Sequence, residues 1–164
     1  MRKKAQDLTA YQQALGLLVR REHSRRELKR KLKDRGKESE EIETALEKLS
    51  RQDFQNDERF AFALARSRQS AGYGPGRIRA EISQHGLGTE LIDRAVCGLA
   101  CDWLEMAKEL ISRRYLRKTQ ADPLQARKAV DFLLRRGFDT KTAYAASRIN
   151  QWQDVPEILQ EMPE

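Results

Sequence analysis

Three glycines, each preceded by the same pair of apolar residues, constrain the fold of this chain more than any other feature. Gly36, Gly86 and Gly137 are 50 and 51 residues apart in a chain of 164 residues. Apolar residues stand eight and four positions before each glycine: Leu28 and Leu32, Ile78 and Ile82, and Ala129 and Leu133. This spacing is typical of the buried face of an α-helix. A glycine directly after such a helix predicts a left-handed C′ residue, where a Cβ would be strained.

The apolar pattern continues beyond each glycine and defines a repeated unit. Matching apolar residues follow the first two glycines: Ile42, Ala45, Leu46 and Leu49, then Ile92, Ala95, Val96 and Leu99. The third copy keeps Ala143 and Ala146 and then becomes polar. We therefore predict an all-α fold of three tandem three-helix repeats, at residues 8–52, 53–101 and 102–150, followed by a tail at 151–164. Units this small have small cores and lean on their neighbours, which favours an elongated array.

Helix-start signals support the same division. The first helices are predicted at about 8–22, 57–70 and 102–117. Ser24 and Glu27 form the pattern of a capping box, in which each side chain binds the other's backbone amide. Pro75 and Pro123 suit first helical positions, where a missing N–H costs nothing. The remaining predicted N-caps, for the third helix of each repeat, are Ser39, Thr89, and Asp139 or Thr140.

The charge of the chain is concentrated in its first third. The formal net charge is +7, and residues 1–52 carry +6 of it, against −1 for 53–104 and +2 for 105–164. Charged residues make up 35% of the chain and the mean hydropathy is −0.79. A basic end of this kind indicates a polyanionic partner such as nucleic acid. The alternative interpretation is a solubilising surface.

The middle helix of the first repeat holds the densest group of cations. Leu28 and Leu32 are expected to face the core, and four cations cluster on the opposite side: Arg26, Lys29, Arg30 and Lys33. Like charges at spacings of three and four repel one another, and a phosphate backbone or an acidic protein groove would relieve that repulsion. A solvated face remains the alternative. The acidic third helix of this repeat argues against sequence-specific reading of the DNA major groove.

No arrangement of residues indicates an active site. The glycine-rich stretch at 72–76 follows a helix and lacks the order of a phosphate-binding loop, so we interpret it as a flexible elbow with Tyr73 as a contact residue. His23 and His85 are interpreted as surface or capping residues, and Trp103, Trp152 and Phe132 as packing residues. Neither a catalytic set nor a metal-ligand cluster is evident, so we expect no enzyme, metal or cofactor. Cys97 and Cys101 form no metal or disulfide pattern, and no apolar run could span a bilayer, which predicts a reduced, cytoplasmic protein.

Several motifs resemble those of the RecX family of regulatory proteins, over about residues 10–148. The first is Ser24-x-x-Glu27-Leu28-x3-Leu32-x3-Gly36. The second begins at Asp57-x-x-Phe60-Ala61-x4-Arg66 and runs through Gly72 and Gly74 to Ile78-x-x-Glu81-Ile82-x3-Gly86. The third is the stretch from Phe132 to Phe138 around Arg135-Arg136-Gly137. The resemblance implies a curved array of three repeats that binds in the groove of the RecA–single-stranded DNA filament. It further implies inhibition of the RecA ATPase, strand exchange and coprotease activities, and so restraint of recombination and the SOS response.

Candidate residues follow from the cationic pattern and the motifs. Those predicted to bind a partner or DNA are Arg26, Lys29, Arg30, Lys33, Arg66, Tyr73, Arg77, Arg79, Arg127, Arg135 and Arg136. Those predicted to have structural roles are Gly36, Asp57, Phe60, Gly86 and Gly137. The leading hypothesis is a monomeric regulator of the RecA nucleoprotein filament. The alternatives are a stand-alone protein that binds single- or double-stranded DNA nonspecifically, and a partner-binding scaffold unrelated to DNA.

Overall fold

The computed structural model describes residues 8–115 and 123–147, and this part of the chain is entirely helical apart from turns and loops. The helices are α1 Ala10–Leu18, α2 Arg25–Lys33, α3 Ser39–Arg51, α4 Asp57–Ser70, α5 Pro75–Ser83, α6 Thr89–Cys97, α7 Trp103–Tyr115, α8 Pro123–Arg135 and α9 Thr140–Ser147. The prediction of an all-α fold is confirmed. The predicted tail, with Trp152, lies outside the described residues, as do the loop before Pro123 and the predicted end of α7 beyond Tyr115.

The described residues divide into two compact units. One contains the residues up to Arg66 together with Glu81–Gly98, and the other contains Ser67–Ala80 together with the residues from Leu99 onward. In the first unit α1, α2 and α3 pack on one another around an apolar core: Ala10, Ala14, Leu17, Leu28, Leu32, Ile42, Ala45, Leu46 and Leu49. In the second, α7, α8 and α9 enclose another: Ala107, Ile111, Ala129, Val130, Phe132, Leu133, Phe138, Ala143 and Ala146. Phe132 lies in this core and Trp103 packs against it, as predicted.

The repeated apolar pairs and their glycines adopt the predicted structure. All six apolar residues before the glycines are fully buried. Gly36, Gly86 and Gly137 have φ values of 78°, 75° and 85°, in the left-handed region. After α8, the Phe138 amide donates to the Leu133 carbonyl at 3.1 Å and the Gly137 amide to the Leu134 carbonyl at 2.9 Å. This pairing of amides beyond the helix end with its last carbonyls is the Schellman arrangement.

Several predicted helix ends need correction. α5 and α8 begin at their prolines and Asp139 caps α9, with its Oδ1 accepting from the Thr142 amide at 2.7 Å. Ser39 and Thr89, however, are the first residues of α3 and α6, and the caps are Glu38 and Gly88 without a side-chain bond. α1 ends at Leu18 rather than near residue 22, because the chain turns there and carries His23 and Ser24 into the interior. The capping box at Ser24 is half formed: its Oγ accepts from the Glu27 amide at 3.0 Å, but the Glu27 carboxylate binds other side chains.

Candidate partner-binding surfaces

The exposed face of α2 carries three cations that have no partner in the described part of the chain. Leu28 and Leu32 are fully buried, whereas Arg26, Arg30 and Lys33 are exposed. These cations are three and four residues apart, so they lie on neighbouring turns of one helix face. Within residues 8–115 and 123–147 none of their side chains forms a hydrogen bond or an ion pair. We call these three residues the α2 cationic face.

Lys29 is not part of this face, although the sequence predicts it there. The Lys29 ammonium binds Glu43 of α3, and Arg25 Nη2 lies 2.7 Å from Glu43 Oε2. The hydrogen bond from Lys29, followed by that from Arg25, lowers the pKa of Glu43 below its ordinary value. Packing of α2 on α3 therefore pairs Lys29 with a carboxylate at the surface of the first unit. Three of the four predicted cations remain unpaired.

A buried polar network holds the first turn of α2. The amide of Arg25 donates to Asp57 Oδ1 at 2.9 Å, so a carboxylate from the start of α4 caps α2. Ser24 is completely buried, and its Oγ lies 2.7 Å from His85 Nδ1. The His85 ring stacks at a tilt on Phe60, with ring centres 4.5 Å apart. Asp57 and Phe60, which the sequence predicts as structural, thus act by fixing the start of α2.

Glu27 is the charged centre of this network. It is buried, yet its carboxylate lies 2.6 Å from Arg21, 3.2 Å from Lys31 and 2.9 Å from His23 Nδ1. Burial opposes ionisation of Glu27, but the Arg21 guanidinium, the His23 ring and the Lys31 ammonium beside it outweigh this effect and lower its pKa to about 2. Glu27 is therefore ionised at neutral pH and balances cations on both sides of Ser24.

Both histidines differ from the sequence interpretation. His23 is 2% exposed, so it is an interior residue and not a surface residue. Burial lowers the pKa of His85, Glu27 opposes this effect, and the charges of Arg21, Arg26 and Arg30 lower the pKa further. A neutral His85 leaves Nδ1 free to accept a hydrogen bond from the Ser24 hydroxyl. Nothing in the spacing of the two histidines indicates this role, because it depends on residues far away in the sequence.

The glycine segment at residues 72–76 is held in place by backbone hydrogen bonds and is not the flexible elbow that the sequence predicts. The Gly74 amide donates to the Arg136 carbonyl at 2.8 Å, and the Gly76 amide donates to the Gly137 carbonyl at 2.9 Å. A Cβ on Gly74 would lie 2.5 Å from the Gly137 carbonyl oxygen, and one on Gly137 would lie 2.3 Å from the Arg77 amide nitrogen. Backbones approach this closely only without side chains between them. The prediction of flexibility is wrong because Arg136, 64 residues after Gly72, binds the segment, and the local sequence does not reveal this partner.

Arg135 and Arg136 are adjacent in sequence but lie in different environments. The Arg135 side chain is exposed and forms no hydrogen bond or ion pair with another described residue. Arg136 is half-buried, and its Nη1 donates to the carbonyls of Ala71 and Gly72 at 2.8 and 3.0 Å. Its guanidinium also lies 5.3 Å from the centre of the Tyr73 ring. Both Arg136 and Tyr73, which the sequence predicts as contact residues, are thus engaged inside the fold.

The other predicted site residues are divided between the two units. Arg66 belongs to the first unit, where it is exposed and without a hydrogen bond or ion pair to the residues that the structure describes. Arg77 and Arg127 are exposed and Arg79 is half-buried in the second unit. Within the described ranges, no three His, Cys, Asp or Glu side chains converge as metal ligands, and no helix is long and apolar enough to cross a membrane.

Comparison with known proteins gives one consistent result. Residues 10–49 match the first three-helix domain of RecX, and residues 56–96 match the second. A regulatory protein RecX from Xanthomonas oryzae is 49% identical over 142 residues, which cover 87% of this chain and 89% of that protein. A crystal structure of regulatory protein RecX superposes with a TM-score of 0.69 at 28% identity, covering 85% of this chain and 70% of the other. The crystal structure of RecX from Lactobacillus salivarius has the same fold, with a TM-score of 0.70 at 22% identity and coverage of 85% and 92%.

Proposed function

Because this chain belongs to the RecX family, we propose that it regulates recombination by binding the RecA–single-stranded DNA filament and inhibiting the RecA activities. These activities are the ATPase, strand exchange and the coprotease function. The relatives are named regulatory proteins, which supports a regulatory role. In this proposal the protein acts as a binder and not as a catalyst, and its target is polyanionic because it contains DNA.

The observation that carries the proposal is the α2 cationic face. Arg25 and Lys29 are matched by Glu43, and Arg21 and Lys31 are matched by Glu27. The three residues of the face, Arg26, Arg30 and Lys33, keep their mutual repulsion in the free protein. An anionic surface on the filament, whether phosphate or carboxylate, removes that repulsion on binding and strengthens the complex.

Titration of the RecA ATPase tests this proposal. RecA on single-stranded DNA hydrolyses ATP at a steady rate. Increasing amounts of this protein are added to that reaction, and the rate of ATP hydrolysis is measured. We expect suppression at protein concentrations well below those needed to coat the DNA stoichiometrically. An unchanged rate at saturating protein would contradict the proposal.

The α2 cationic face also fits the second candidate, a stand-alone protein that binds nucleic acid nonspecifically. Three phosphate contacts to a single strand release about two counterions. A plot of the logarithm of the association constant for DNA against the logarithm of the salt concentration should therefore have a slope of about −2 from this face alone. Replacing Arg26, Arg30 and Lys33 by Gln should remove that part of the slope. Salt-independent binding of naked single- and double-stranded DNA, or no binding, would exclude this candidate and leave the filament as the target.

The repeat boundaries, the oligomeric state and the location of the protein belong to the same proposal. We propose that residues 8–52, 53–101 and 102–150 are its three functional repeats, and that it acts as a cytoplasmic monomer. Light scattering on the purified protein tests the second point. A mass near 19.0 kDa is expected, and a mass of twice that value would contradict it.

A further inference from the structure

Glu43 of α3 is paired with two cations of α2 at the surface of the first unit. Its Oε2 lies 2.7 Å from Arg25 Nη2, and its Oε1 binds the Lys29 ammonium. The side chain of Glu43 is 38% exposed and that of Lys29 is 55% exposed, so solvent reaches both charged groups. Ion pairs that are this exposed contribute little to stability. The fold therefore gains little from Glu43, and its main effect is on the charge that α2 presents to solvent.

The two paired cations border the α2 cationic face. Lys29 is three residues after Arg26 and four before Lys33, so it is a neighbour of both on the helix surface. Arg25 lies one turn before Lys29 and is half-buried. Without Glu43, these two side chains would extend the unpaired cations of this helix from three to five.

We propose that Glu43 is a specificity-determining residue, which limits the binding of naked nucleic acid by withholding Arg25 and Lys29 from phosphate groups. Nonspecific binding depends on the number of phosphate contacts, so each cation that is paired within the fold removes one contact. A target that also offers a protein surface loses less, because charge supplies only part of its binding, and specificity is a difference of affinities. This inference rests on the proposed function for the filament as the preferred target.

The central experiment measures the affinity for a fluorescent single-stranded oligonucleotide at several salt concentrations, by anisotropy and without RecA. Glu43→Gln releases Arg25 and Lys29, and two further phosphate contacts should strengthen binding at least about tenfold at low salt. The slope of the logarithm of the association constant against the logarithm of the salt concentration should become more negative by about 1.4. Circular dichroism verifies that the variant is folded. Unchanged affinity and slope would overturn the inference.

Glu40→Gln is the matched control, because it changes the net charge equally on the same helix without releasing a cation. The Glu40 side chain is exposed and forms no hydrogen bond or ion pair with a described residue. This variant should bind the oligonucleotide within about twofold of the wild type. An equal gain in the two variants would show that only the net charge matters and would overturn the inference.

Replacement of single cations tests the inference with Glu43 in place. Lys33→Gln removes an unpaired cation and should make the slope less negative by about 0.7. Lys29→Gln removes the same charge, but it should leave the slope unchanged because Glu43 stays paired with Arg25. These two variants decide the outcome if Glu43→Gln does not fold. Equal changes of slope would show that Glu43 does not withhold Lys29 and would overturn the inference.

The RecA ATPase titration, with the DNA fully covered by RecA, separates this inference from the proposed function. Glu43→Gln should lower the concentration for half inhibition by less than about threefold, because phosphate is only part of the filament surface. A gain as large as that for the naked oligonucleotide would overturn the specificity role. If the wild-type protein does not inhibit RecA, the proposed function fails, and the oligonucleotide measurements alone decide whether Glu43 limits the binding of naked nucleic acid.

Discussion

At the scale of single residues, the glycines of this chain have two different physical roles. Gly36, Gly86 and Gly137 end helices with a positive φ, which a side chain would strain. Gly74 lacks that conformation, but the backbone of the Gly137–Phe138 peptide fills the space where its Cβ would be. Gly137 meets both requirements. The first role can be identified from the position of a glycine after a helical pattern, whereas the second depends on which backbone lies opposite.

Replacement of Gly74 by alanine should therefore be costly although its φ is ordinary. The new Cβ would lie 2.5 Å from backbone atoms of Gly137 and Phe138, so the glycine segment and the end of α8 must move apart. We expect a loss of about 2–3 kcal/mol in the free energy of unfolding, measured in urea. Gly16→Ala is the control, since nothing lies within 4 Å of that position in α1, and it should raise stability by about 0.5–1 kcal/mol. Equal effects of the two changes would contradict this interpretation.

Glu27, the buried His23 and the half-buried His85 make the first unit sensitive to acid. Burial and neighbouring cations lower the pKa of His85, and burial lowers that of His23. The two neutral rings therefore contribute fully to the free energy of unfolding above about pH 6.5, and this contribution falls as either ring is protonated. The pKa of Glu27 falls from 4.5 to about 2 on folding, so its contribution is present above pH 4.5 and is lost toward pH 2. Acid thus weakens the first unit through three groups that share one network.

Removing the Glu27 charge should abolish the lower part of this pH dependence. Between pH 5 and pH 2 the wild type should lose about 3 kcal/mol through Glu27 alone, measured by urea unfolding at each pH. Glu27→Gln should be less stable at pH 7, because Arg21 and His23 lose their partner, and its stability should change less over that interval. The exposed Glu47→Gln serves as the control and should follow the wild type. A Glu27→Gln curve parallel to that of the wild type would contradict the assignment.

At the scale of elements, α2 illustrates what a sequence can and cannot predict. Its buried stripe, its N-terminal serine and its terminal glycine are local signals within about a dozen residues, and the structure confirms them. The carboxylate that binds the Arg25 amide comes from 32 residues later, and the ring that binds Ser24 from 61 residues later. The Arg136 contact with the glycine segment spans 65 residues. Periodicity and spacing carry no information about such contacts. For this reason the predictions of a flexible elbow and of a surface position for His23 are wrong, and the sequence does not predict the ion pair of Lys29 with Glu43.

The cap that α4 supplies to α2 leads to a separate prediction. Asp57→Ala leaves the Arg25 amide without its acceptor, and the loss of a capping carboxylate costs about 1–2 kcal/mol. Thermal unfolding followed by circular dichroism measures the change. Asp34→Ala at the other end of α2 removes the same charge from an exposed position near the helix C-terminus, where an anion is unfavourable, and should be neutral or slightly stabilising. The interpretation would be wrong if both variants unfolded at the same temperature.

At the scale of the whole molecule, the positions of the cations without an ion pair matter more for partner binding than the total excess of positive charge. Residues 1–52 hold 15 Lys and Arg against nine Asp and Glu, and several of these cations are paired with Glu27, Glu41, Glu43 or Glu47. Among the cations of α2, those without an ion pair in the described part of the chain are the three of the α2 cationic face. Long-range attraction brings an anionic filament and a basic protein together, and unpaired cations then decide how strongly the complex is held.

The most direct test is the affinity of the protein for the RecA–single-stranded DNA filament, measured by fluorescence anisotropy for three proteins under one salt condition. The first is the wild type, the second carries Gln at Arg26, Arg30 and Lys33, and the third carries Gln at Arg51, Lys108 and Arg113. Arg51, Lys108 and Arg113 form ion pairs on helix surfaces, and such pairs contribute little to stability. Each variant loses three positive charges, so the two differ only in where the charge is removed. The account predicts at least about tenfold weaker binding for the α2 variant and a change within about twofold for the control. Equal affinities of the two variants would contradict it.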